Sequence, residues 1–124
     1  MMTKIYSKPP SSRQLQIGQE IRSALSEYFI KGEYYHPLLE SVMITITEVR
    51  ISPDLKHATV FILISNFEDK PLVLKFLKEA VPEIRKAMSG KLKLRFSPEL
   101  RFVLDETQEK AAKIESLFSA LNKK

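Results

Sequence analysis

Six cations lie between Arg85 and Arg101: Arg85, Lys86, Lys91, Lys93, Arg95 and Arg101, against a single acid, Glu99. At that density each side chain can neutralise a phosphate, and together they make the footprint of a polyanion-binding face. The competing reading is a solvated surface that keeps the chain soluble. The whole chain leans the same way, with 20 Lys+Arg against 15 Asp+Glu and a formal net charge of +5. A charge total attracts polyanions without naming one. Phe96 and Phe102 share a parity with neighbouring apolar residues, which assigns them to the core rather than to base stacking.

Catalysis has little to work with. His36 falls in a loop and His57 at a strand start, neither with a partner at metal-ligand spacing. The absence of cysteine removes disulfides, thiolate nucleophiles and Cys-ligated metals. No Gly-x-Ser-x-Gly elbow occurs, and Gly18, Gly32 and Gly90 are too scattered to cradle a phosphate. Asp54, Asp69 and Asp105 occupy turn or cap positions, where Asp is structurally common. The expectation is a non-enzyme with no catalytic residue, metal, cofactor or small-molecule substrate.

The elements that position the cations follow from periodicity. At 124 residues and 44% apolar content the chain suits one soluble domain. Its longest apolar run, Val60 to Ile64, is far short of the roughly 20 residues that span a bilayer. With no apolar leader after Met1, the expected location is the cytoplasm. Residues 1–11, with Lys4, Lys8, Pro9 and Pro10, read as a flexible basic arm. Residues 12–121 read as the domain and 122–124 as a short tail.

Ser12 is the expected N-cap of a helix with Ile17, Ile21, Leu25 and Phe29 on one stripe, stopped near Gly32. After a connection at 33–41, Val42, Ile44 and Ile46 alternate as in a strand. The phase then slips to Val49 and Ile51, which implies a bulge near Glu48. Ser52-Pro53-Asp54-Leu55 is a turn, and His57 to Ser65, apolar on both faces, is the strand expected at the centre.

Val73, Leu77 and Ala80 mark the inner face of a helix opened by Pro71. Pro82 would cost about 3 kcal/mol inside it, so the expectation is helix, kink at Ala80-Val81-Pro82, then a second helix with Ile84, Ala87 and Met88 inward. Residues 91–96 fit either a strand or a continued helix. Leu100, Phe102 and Leu104 make a strand. A last helix follows, its inner face Ala111, Ile114, Leu117, Phe118 and Leu121. The sum is an α+β two-layer sandwich, in the order of a type II KH domain with one helix appended.

Several strings then combine. Ser52-Pro53-Asp54-Leu55 with Ala58-Thr59-Val60-Phe61, Ile84-Arg85, Leu94-Arg95, Pro98-Glu99-Leu100 with Phe102 and Asp105, and the closing Ile114 and Leu117 resemble the ribosome-binding factor A family. The strand Ile44 to Val49 and the opening Arg13, Ile17, Glu20 and Ile21 fit as well. The resemblance implies a KH-like, monomeric assembly factor that binds the free small ribosomal subunit and its rRNA, away from membranes. It also implies late maturation and 5′-end processing of the small-subunit rRNA, and a part in cold adaptation. The rRNA contacts it implies are Arg85, Lys86, Lys91, Lys93 and Arg95, followed by Arg13, Lys75 and Lys78.

Two departures stand out. The Gly-x-x-Gly clamp of the usual KH domain is missing, and Ala80-Val81-Pro82 replaces the family's Ala-x-Gly at the kink. The alternatives are a generic KH-like module for single-stranded RNA and a basic domain that meets an acidic protein.

Overall fold

The computed structural model describes residues 9–31, 42–91 and 98–122, with backbone only for 108–110 and 122. The arm up to Lys8, Gly32, the 33–41 connection with His36, the 92–96 segment with Lys93 and Arg95, and Lys123-Lys124 lie outside the described residues.

Helix α1 spans Ser12–Ile30. Its cap is Ser11, one residue earlier than expected, because only Ser11 has Gln14 three positions on. The Ser11 hydroxyl accepts from the Gln14 amide at 3.1 Å, and Gln14 Oε1 accepts from the Ser11 amide at 2.7 Å, a reciprocal capping box. The expected stripe of Ile17, Ile21, Leu25 and Phe29 is buried, widened by Gly18, Ala24 and Tyr28. Gly18 lets α1 close on the sheet: a Cβ there would stand 3.1 Å from the Val49 carbonyl oxygen. Beside it, Gln14 Nε2 donates to the Ile51 carbonyl at 2.8 Å.

Strands β1 (Met43–Ile51) and β2 (His57–Ser65) form the expected antiparallel hairpin. Its turn is wired by Asp54, which accepts from the Ser52 hydroxyl at 2.5 Å and the Lys56 amide at 3.0 Å. These bonds, the Ser52 one foremost, hold the Asp54 carboxyl below its ordinary pKa. Leu55 takes a φ of 65° to close the turn. The pairing slips between Ile46 and Glu48, so the bulge falls at Thr47.

Strand β3 (Glu99–Leu104) pairs parallel with β2, which is therefore central, in the order β1-β2-β3. Ala58, Val60, Ile62 and Ile64 of β2 join the core cluster beneath the helices. Phe61 and Thr59, on the reverse face, are buried as well.

Helix α2 covers Lys70–Met88 as one helical element with Pro82 inside it. The two helices expected on either side of Pro82 are thus a single element. Val73, Leu77, Ile84 and Met88 are buried and Pro82 is exposed. The inward stripe runs past the proline without using its position, and the missing N–H falls on the solvent side. Ala80 is half-buried, and Ala87, expected inward, is exposed.

Helix α3 (Thr107–Asn122) departs furthest from expectation. Its anticipated inner face is uncovered: Ile114 is 52% exposed, Leu117 59%, Phe118 60% and Leu121 72%, and Ala111 is exposed too. The core is already closed by α1, α2 and the sheet, so this helix has nothing to lie on among the described residues.

Candidate nucleic-acid interface

The charges of α2 are sorted by the helix period, about 100° per residue. Lys78 and Arg85 each follow a buried residue, Leu77 and Ile84, by one position and so occupy one flank of the buried stripe. Lys75 and Lys86 lie nearly opposite that stripe and are exposed. The acids Glu79 and Glu83 share that exposed side, Glu79 four residues from Lys75 and Glu83 three from Lys86, the spacings of helix-surface neighbours. Helix α2 thus presents a net basic outer surface, about 16 Å long from Lys75 to Lys86 at 1.5 Å per residue, in which the two acids are interleaved toward one edge.

Local structure contributes to that placement. Asp69 caps the helix start, its Oδ1 accepting from the Leu72 amide at 3.1 Å. Arg85 and Lys86 fall in the last turn, where cations complement the partial negative charge of the exposed carbonyls. That interaction alone, about 0.3–1 kcal/mol, would favour cations there, but it does not account for Lys75 and Lys78 further up.

The remaining expected contacts divide. Lys91 lies 3.6 Å from Glu27 Oε1, which also takes Lys31 Nζ at 2.6 Å. The Lys31 hydrogen bond, then the Lys31 and Lys91 charges, hold the Glu27 carboxyl below its ordinary pKa. Lys91 therefore belongs to a mixed-charge cluster that couples the end of α2 to α1. Arg13 is exposed in the first turn of α1, fourteen residues before Glu27. That is about 21 Å along the axis, so the structure does not bring Arg13 to the cluster. Lys93 and Arg95 lie outside the described residues.

Arg101 belongs elsewhere too. It alternates with buried Leu100 and Phe102, which puts it on the sheet's reverse face. There Arg50, Thr59 and Arg101 align across the three strands. Arg50 was not singled out in the sequence, because the bulge hides which face it takes; it pairs with Glu48.

Nothing among the described residues gathers as a catalytic centre. A cleft of about 310 Å³ between α1 and β1 is lined by Gln14, Gly18, Arg22, Thr47, Glu48 and Arg50, among others. His57 Nδ1 lies 3.4 Å from Glu99 Oε2, both side chains exposed, where β2 and β3 begin. No three His, Cys, Asp or Glu residues among those described stand close enough to hold a metal. No described helix is long and apolar enough to cross a membrane.

Helix, antiparallel hairpin, helix and a parallel third strand, with more cations than acids on the outer surface of the second helix, define a KH-like α+β domain with a basic helical surface. The family model described as ribosome-binding factor A matches residues 13–118. Ribosome-binding factor A of Pelagibacter ubique (strain HTCC1062) is 43% identical over 122 residues, covering 98% of this chain and 100% of that one. The chain belongs to the ribosome-binding factor A family.

The crystal structure of ribosome-binding factor A from Thermus thermophilus superposes with a TM-score of 0.60 at 21% identity, covering 73% of this chain and 94% of that one. A homology model of Thermus thermophilus ribosome binding factor A, fitted into the cryo-EM map of a complex with 30S, gives 0.58 at 21% identity, over 72% and 91%. At that identity the superpositions speak to the fold.

Proposed function

We propose that this chain is a non-catalytic assembly factor that docks on the free small ribosomal subunit through rRNA phosphates. The observation that carries the reading is the excess of cations around the uncovered side of α2, where Lys75, Lys78, Arg85 and Lys86 outnumber Glu79 and Glu83. Family membership and the 30S complex of the Thermus thermophilus relative support the choice of polyanion. In the sequence Lys91, Lys93 and Arg95 follow the helix and residues 1–11 carry Lys4 and Lys8, further candidates for phosphate contact. A monomer in the cytoplasm would hold one conformation of an immature subunit by binding it better than its competitors. The finer role is late maturation of 16S rRNA, including its 5′ end, most needed in the cold, where misfolded rRNA is slow to rearrange.

Reversal of three exposed cations, Lys75→Glu, Lys78→Glu and Lys86→Glu, tests the site without opening the core. Co-sedimentation with small subunits at moderate salt should fall by at least about a hundredfold. If about four phosphates are neutralised, log K for the unaltered chain should fall with log salt at a slope of about −3. Unchanged co-sedimentation of a folded variant would move the interface off α2. Equal affinity for a short unstructured oligonucleotide would instead favour a generic single-stranded RNA module.

A further inference from the structure

Helix α3 carries a feature that phosphate binding does not use. Ile114, Leu117, Phe118 and Leu121 recur at i, i+3, i+4 and i+7, each more than half exposed. The helix does not leave the body on a loose tether. The Asp105 amide donates to the Ile62 carbonyl at 2.7 Å. Asp105 Oδ1 accepts from the Thr107 amide at 2.9 Å and Oδ2 from the Thr47 hydroxyl at 2.5 Å. Its base is therefore fixed to both the bulge of β1 and the centre of the sheet.

Resting on the function proposed above, we propose that this face seats in an apolar groove on a protein of the ribosomal particle, as a second handle beside the α2 surface. The spacing is that of helix-in-groove recognition, in which such a stripe supplies the anchors. Other occupants fit worse. Residues 107–122 hold two cations, Lys110 and Lys113, and two acids, Glu109 and Glu115. With no net charge, the helix has no pull on rRNA phosphates. It also lacks the Lys/Arg-rich polar face that holds amphipathic helices on lipid.

A second copy fares little better. Four half-exposed side chains of about 100 Å² each offer about half of the roughly 800 Å² per partner of a standard stable interface. A groove gains more, because it wraps the helix and also reaches Lys113 and Glu115 on its two sides. Its own affinity can be modest, since docking at α2 raises the effective concentration of α3 at its groove.

The test compares the full chain with Leu117→Ala/Phe118→Ala, which keeps helix propensity, on intact small subunits and on rRNA stripped of protein, across a salt series. The variant should bind subunits about tenfold to a hundredfold more weakly with an unchanged salt slope, and bare rRNA as well as the unaltered chain does. Equal binding to subunits by both chains overturns the inference and leaves the function reading standing. So does an equal loss on bare rRNA. A dimer in sedimentation equilibrium that the substitutions dissolve, or variant-sensitive flotation with vesicles of mixed zwitterionic and anionic phospholipid, would replace the protein groove with another occupant. Failure of the unaltered chain to bind subunits even at low salt overturns the function reading and this inference with it.

Discussion

Strand β2 and helix α3 carry similar apolar loads and meet opposite fates. Val60, Phe61 and Ile62 are at most 3% exposed, whereas Ile114, Leu117, Phe118 and Leu121 are all above 50%. The difference lies in topology rather than hydrophobicity. The central strand is enclosed by its neighbours on both edges and by helices over one face. Helix α3 follows the edge strand β3, after the last strand of the sheet has been laid down. Each fully buried side chain of β2 contributes about 1.5–3 kcal/mol, and the stripe of α3 contributes much less. Sixteen residues without packing are near the length at which isolated helices are marginal. The body should therefore set global stability, while α3 frays first and waits for cover.

Ile62→Ala probes the stronger side of that contrast. Ile62 is fully buried in the core cluster, so the substitution should cost about 2–5 kcal/mol through lost transfer energy and a cavity. Urea unfolding monitored by far-UV circular dichroism measures it. A cost below about 1 kcal/mol would deny β2 its central energetic role.

Thr47 is where the two regions join, and Thr47→Val should cost less, about 1–2 kcal/mol, by removing one charge-assisted hydrogen bond. The acid side adds a finer signature. Burial raises the pKa of Asp105, but hydrogen bonds from Thr47 and Thr107 outweigh it and leave the carboxyl below its ordinary value. A depressed folded pKa stabilises the protein above the unfolded value, near pH 4. That contribution fades as pH falls through the folded one. Unfolding titrations at pH 6 and pH 3 should thus show a smaller acid loss in Thr47→Val than in the unaltered chain. Equal acid losses would mean that Thr47 does not hold Asp105.

Much of this was legible from residue order. The alternation of β2 on both faces placed it at the centre, and the phase slip after Ile46 located the bulge to within one residue. Pro82 did not divide the element as its roughly 3 kcal/mol penalty suggested: α2 runs through it as one helix, with the proline on the exposed side. Here the packing stripe skips the proline. In α3 the pattern named the apolar side correctly and was silent about its cover, since amphipathicity records a preference and not a partner. For the interface, clustering in sequence overstated clustering in space. Lys91 turned to Glu27 and Arg101 to the reverse face, because strand alternation and the approach of α1 override proximity along the chain.

The smallest expected effect is the sharpest test of the contrast. In the isolated protein, Leu117→Ala/Phe118→Ala removes more apolar volume than Ile62→Ala does, yet should change the unfolding free energy by no more than about 0.5 kcal/mol. No cavity forms where nothing packs, and alanine keeps the helix's own propensity. Thermal melts of the two variants side by side would show the body variant shifted and the α3 variant superimposed on the unaltered chain. A loss above about 2 kcal/mol would mean that the stripe is covered in solution. The enclosure of β2 and the exposure of α3 would then cease to be opposites, and the groove-seeking role of the helix would fall with them.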